Sequence, residues 1–206
     1  MKKLPKNRKE GYLRALEIAS NEFAQRDPEM MARASKASYQ QENNIIKLPL
    51  LNDCYHVHHP SARVIKEKDQ QEASVAYRVL LLHYLLEARG IPLKNSLISF
   101  KEVEGGMVYF DAFRRRAIKP LVNVFGQNPE KMVAAGKKLG GEELDLADAA
   151  LVFKVLPAIP ITYALWMGED NISPRASILF DASVKAYLPM EDLALLASIP
   201  VWGMLS

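Results

Sequence analysis

Residues 72–90, EASVAYRVLLLHYLLEARG, constrain the fold more than any other stretch of the chain. Val75, Val79, Leu82 and Leu86 recur at helical spacing, and Ala76, Leu80, His83 and Tyr84 form a neighbouring stripe. Apolar side chains therefore reach most of the way round. A helix of that kind needs cover from other elements on nearly every side, which makes it central and buried. Gly90 supplies a natural stop, and Pro92 follows it.

The flanking patterns say what covers it. Leu13, Leu16, Ile18 and Phe23 predict a helix over 10–25, after a stretch at 1–9 expected to be disordered. Asp27 and Pro28 suit the cap and first position of a second helix running to about residue 38. The run NIIKLPLLNDCYHVHHPSARVI then changes character to β-branched and aromatic residues. It predicts a strand over 44–51, a turn at Asn52-Asp53, a strand over 54–58 and a short extended piece at 63–65. Pro49 places the first strand at a sheet edge or at a bulge.

Beyond the central helix, residues 97–100 read as a short strand before a Gly105-Gly106 turn. A helix is expected from about Tyr109 to Val124, bent or split by Pro120, and another between Asn128-Pro129 and Gly140-Gly141. Two apolar strands follow, at about 150–156 and 160–167. Ser173 and Pro174 have the form of a helix start, which predicts helix to about Leu188, with a last helix from Pro189. No regular β-α-β alternation is present. The expectation is an α+β fold in which a small, mainly antiparallel sheet packs with several helices. Residues 1–43 would form an arm and helices, and 44–206 a single core domain.

Composition narrows the class. A formal net charge of +3, concentrated in MKKLPKNRK, is mild, and zinc-finger spacing and basic–aromatic alternation are lacking, so no nucleic-acid partner is expected. No apolar run reaches the roughly 18 residues of a membrane span, and no signal-peptide pattern opens the chain. The one cysteine fits a reducing compartment, so a cytoplasmic protein is expected.

That cysteine lies in NDCYHVHHP, with three of the four histidines. In an extended strand Cys54, His56 and His58 line one face, while Tyr55, Val57 and His59 line the other. Thiol and imidazole are zinc ligands, which makes Cys54, His56 and His58 a candidate metal set. Same-face neighbours on a strand are about 6.6 Å apart, so at most two adjacent residues share one ion and further ligands come from elsewhere. The alternative is a strand near a sheet edge that carries exposed histidines.

A second candidate site joins His83 with the aromatics Tyr109, Phe110, Phe113 and Trp166 and with the run Arg114, Arg115 and Arg116. Aromatic walls with a few polar groups suit a cofactor, with imidazole as an axial ligand or proton carrier and arginine forks for carboxylate or phosphate. A core histidine and a solvated arginine face are the plain alternatives. A third candidate is LWMGEDNISPRASILFD, where Glu169, Asp170 and Asp181 would bind a cation or pair with Arg175 or Arg114–Arg116.

Three blocks carry a family likeness: LLLHYLLEARGIPLKNSLISFKEVEGGMVYFDAFRRR, FGQNPEKMVAAGKKLGG and FKVLPAIPITYALWMGEDNISPRASILFDASVKAYLPMEDL. Over about residues 45–205 the chain resembles domain-of-unknown-function family 3786, a family of mostly anaerobic bacteria and archaea. The resemblance implies a small intracellular domain, associated in places with iron–sulfur or other anaerobic redox modules. It brings a corrinoid, haem-like or other tetrapyrrole cofactor, or a redox partner, into view. The leading expectation is non-catalytic binding of such a cofactor, of a metal-containing group or of a partner. A carboxylate- and metal-dependent enzyme using 168–181 is the rival, and an interaction module using the C-terminal SIPVWGML is a third reading.

Overall fold

The computed structural model describes residues 6–169 and 171–206, which form two compact units, one ending at Ile91 and the other beginning at Pro92. The sequence reading put a boundary at residue 43. The helices before that point instead belong to the same unit as the first sheet, because they and the sheet share one core.

The first unit opens with α1 (Lys6–Gln25) and α2 (Pro28–Ser35). Residues 6–9 are therefore helical rather than disordered, and residues 1–5 of that expectation lie outside the described residues. Leu16, Ala19 and Phe23 form the buried face of α1 at spacings of three and four. Asp27 caps α2 as expected, accepting from the backbone N–H groups of Glu29 and Met30. Both helices pack on α3 (Val75–Glu87), where Val79, Leu80, Leu81, Leu82, Tyr84 and Leu85 are buried. The Tyr84 hydroxyl donates to the Ser35 carbonyl at 2.6 Å and fixes α3 against the end of α2.

The four strands of this unit are β1 (Ser38–Gln40), β2 (Ile45–Leu50), β3 (Asp53–His58) and β4 (Arg63–Lys66), antiparallel in the order β1-β2-β3-β4. The sequence had assigned part of β1 to the preceding helix. Ile46, Leu48, Leu50, Tyr55, Val57 and Val64 form the buried side, and Tyr55 meets Tyr77 of α3 edge to face. Pro49 sits two residues past Lys47, the last β2 residue paired with β1, where its missing N–H breaks no ladder bond.

The second unit is built on β5 (Leu97–Ser99), β6 (Glu142–Glu143), β7 (Ala149–Leu156), β8 (Ile159–Trp166) and β9 (Arg175–Asp181), antiparallel in the order β5-β9-β8-β7-β6. The chain is thus α+β, with two antiparallel sheets where one was expected. The main correction is β9, which the Ser173-Pro174 signal had assigned to a helix. Its side chains alternate, with Ile178 and Phe180 buried between the less buried Ser177 and Leu179. Pairing with β8 on one side and β5 on the other overrides the local cap signal.

Helices cover this sheet. They are α4 (Gly106–Phe113), α5 (Lys119–Phe125), α6 (Pro129–Lys138), α7 (Met190–Leu196) and α8 (Ser198–Met204). α4 starts three residues before the expected Tyr109. Only glycine fits at Gly106, since a Cβ there would collide with the Phe100 carbonyl. Between α4 and α5, residues Arg114–Ile118 widen into a π-helical turn. The wide turn accommodates Pro120, which has no N–H to give the preceding turn, and the backbone stays helical on both sides of it. α6 lies on β7, with Gly136 set against Leu151 and Phe153.

Candidate metal centre

β3 is paired with β2 on one side and with the edge strand β4 on the other. Its side chains alternate as the sequence predicts, with Tyr55 and Val57 buried and Cys54, His56 and His58 on the half-exposed outer face. His59 turns inward, against the Phe23 ring, and its Nε2 lies 3.0 Å from the Arg26 carbonyl.

The third member of the centre comes from the end of β4. The β3–β4 ladder pairs Tyr55 with Lys66 and His56 with Ile65, and Glu67 follows directly after Lys66, just past the strand. The Glu67 N–H donates to the Cys54 carbonyl at 2.9 Å, which holds Glu67 directly across from the thiol on the same face. The ligand atoms of Cys54, His56 and Glu67 all lie within 4.8 Å of one another. In a tetrahedral site with bonds of about 2.0–2.3 Å, ligand atoms are roughly 3.3–3.8 Å apart. The cluster therefore closes on an ion by small side-chain rotations. His58 is outside the group. It is the next same-face residue along β3, about 6.6 Å beyond His56, and pairs with Arg63.

Two of the three groups are joined by a hydrogen bond. His56 Nε2 is 3.1 Å from Glu67 Oε1 and donates to it, since a carboxylate only accepts. The Cys54 thiol faces the same carboxylate, within 4.8 Å. Burial, followed by the neighbouring Glu67 carboxylate, pushes the Cys54 thiol above its ordinary pKa. The bond from His56 is the largest influence holding the Glu67 carboxyl below its usual range. A cation held here would meet one sulfur, one nitrogen and one oxygen donor, with the thiol losing its proton. That donor set suits zinc or cobalt over calcium or magnesium. Lys47 flanks the group from β2, paired with His56, with Nζ 3.7 Å from Glu67 Oε1.

The second candidate set is divided between the units: His83 is on α3 of the first unit and is half-buried, and the other residues belong to the second unit. Phe113 is fully buried, stacked on Phe100 at 4.1 Å and facing Phe180, so it is core and not a pocket wall. Tyr109 and Phe110 are half-buried, and Lys101 Nζ sits 4.3 Å over the Phe110 ring. Arg114 is exposed and lies 3.7 Å from Asp111, Arg115 is exposed and Arg116 is half-exposed. Trp166 carries Arg175 over its ring at 5.1 Å, at the end of β9 opposite to Phe180.

The carboxylate candidate is dispersed. Glu169 is exposed in the turn after β8, where its carbonyl accepts from the Ile172 N–H at 2.7 Å, and Asp170 lies outside the described residues. Asp181 is at the far end of β9 from that turn, about 20 Å along the strand from Arg175. It is buried and accepts from the backbone of Lys94 and Ser183, each at 2.9 Å. Burial raises its pKa, but the bonds from Ser183, Lys94 and Asn95 outweigh burial and hold the carboxyl below its ordinary value. Asp181 is therefore a structural cap. The C-terminal segment is core as well, with Val201 and Met204 buried and Trp202 40% exposed. Among the described residues, no helix is long and apolar enough to cross a membrane.

Two antiparallel sheets with covering helices and an outer-face Cys–His–Glu cluster define the class: an α+β domain with a candidate metal centre. Residues 27–201 match the family model described as Domain of unknown function (DUF3786), and the chain belongs to that family. The match begins at the cap of α2, earlier than the likeness seen in the sequence blocks. No curated protein and no solved structure matches the chain.

Proposed function

We propose that this chain is a non-catalytic metal-binding domain, which holds one zinc-type divalent cation through Cys54 Sγ, His56 and Glu67. One observation carries the reading: three donors of three chemical kinds, from two neighbouring strands, lie within 4.8 Å of one another on a half-exposed sheet face. Of the occupants considered from the sequence, tetrapyrrole and metal, this geometry favours the ion. The thiolate ligand survives in a reducing compartment, so a cytoplasmic location belongs to the same reading. A metal-containing domain also fits the redox association that the family likeness implies.

The test is competition for zinc against a chromophoric chelator of known affinity. The wild-type chain is expected to take one equivalent, and the double variant Cys54→Ser, His56→Ala to lose it. Equal zinc uptake by both proteins, or none by the wild type, would refute the assignment.

A further inference from the structure

A cation bound by Cys54, His56 and Glu67 has three protein donors, all from one side of a sheet. Zinc completes four positions, and a site with three protein ligands keeps the fourth for water or an added ligand. Here the fourth position points away from the sheet face. Lys47 stands at its margin. The β2–β3 register makes Lys47 and His56 a non-hydrogen-bonded pair, the arrangement in which cross-strand side chains are closest. Lys47 Nζ is 3.7 Å from Glu67 Oε1, so a cation bonded to that oxygen at about 2.1 Å is within about 5.8 Å of the ammonium.

We propose that the cation and Lys47 together bind a small carboxylate monoanion, one oxygen on the open metal position and the other accepting from the Lys47 ammonium. The inference rests on the metal-binding reading. Charge supports it. A divalent cation with one thiolate and one carboxylate is neutral, and the adjacent ammonium leaves the assembly at +1. One monoanion neutralises it. Geometry selects the carboxylate class, because a two-oxygen anion spans the gap between ion and ammonium, while a single-atom halide meets only one of them. The ammonium has three donors and no acceptor, so it serves Glu67 and an incoming anion together.

The experiment uses the full chain loaded with cobalt(II) and titrated with acetate, read by visible absorption. Loading is expected to produce a sulfur-to-cobalt charge-transfer band, and acetate to shift the d–d bands saturably. Lys47→Met should keep the charge-transfer band but require at least ~10-fold more acetate, having lost one charge-assisted hydrogen bond. A d–d spectrum that ignores acetate, or equal acetate affinity in Lys47→Met and wild type, overturns the inference while leaving the metal site standing. No charge-transfer band on loading removes the metal site itself, and the anion site with it.

Discussion

Glu67→Gln separates the two states of the cluster. The amide keeps the shape of the side chain and one acceptor oxygen for His56, but gives up the charge. In the ion-free protein the change chiefly removes the charge that faces Lys47, 3.7 Å away between side chains 33% and 46% exposed. Exposed pairs of this kind contribute little, so the Tm should move by no more than a few degrees in a chain of 206 residues. With zinc the difference becomes large. At about 100 times its Kd the ion adds about 2.7 kcal/mol. At about 2–4 °C per kcal/mol, the wild-type Tm rises by about 5–11 °C. Outer-shell substitutions already cost metal sites about 10–100-fold in affinity, and loss of a charged ligand costs at least the upper figure. The same zinc concentration is then near the variant's Kd, the ion adds only about 0.4 kcal/mol, and the Tm rises by about 1–2 °C. Thermal melts by circular dichroism, with zinc and with a chelator, give all four values. A zinc-induced rise in Glu67→Gln as large as in wild type would show that the carboxylate is not a ligand.

Phe113→Ala should destabilise the protein by about 3–5 kcal/mol in urea titrations, since the ring is fully buried and stacked on Phe100; a cost below about 1 kcal/mol would return Phe113 to a pocket wall. Asp181 has a depressed pKa in the folded chain, so its contribution is fully present above the ordinary aspartate value near 3.9 and is lost as pH falls through its lower folded value. Asp181→Asn is accordingly expected to lower the urea midpoint at pH 7, with the gap to wild type closing in strong acid. A gap that is constant with pH would assign the effect to shape alone.

Local patterns revealed the elements whose signals act within a turn or two. The central helix, the Asp27 cap and the alternation of β3 were all legible that way. β9 was not, because Ser173-Pro174 resembles a helix start and the decision was made by strands β8 and β5, distant in the chain. Glu67 was missed for a related reason. It is thirteen residues from Cys54, and only the ladder between β3 and β4 brings the two together. The pattern did contain a clue. Once 63–65 is read as pairing back on 54–58, extending that pairing by two residues reaches Glu67. Phe113 was misjudged because an aromatic residue on a helix looks the same in sequence whether it lines a cavity or fills a core.

The turn at 59–62 between β3 and β4 sets the chemistry of the outer face by its length alone. Because side chains alternate, one added residue there, with the strands still paired in place, would bring Lys66 opposite Cys54. Val64 would come outside and Ile65 inside, nearly neutral for the core, while the cluster would exchange a carboxylate for an ammonium. Two added residues would restore the faces but leave Ile65 across from the thiol. On the metal-binding reading proposed above, a relative with an insertion or deletion in this short loop would keep the fold and both β3 donors yet lose the third, so loop length would bear on that reading more than the presence of Cys54 and His56.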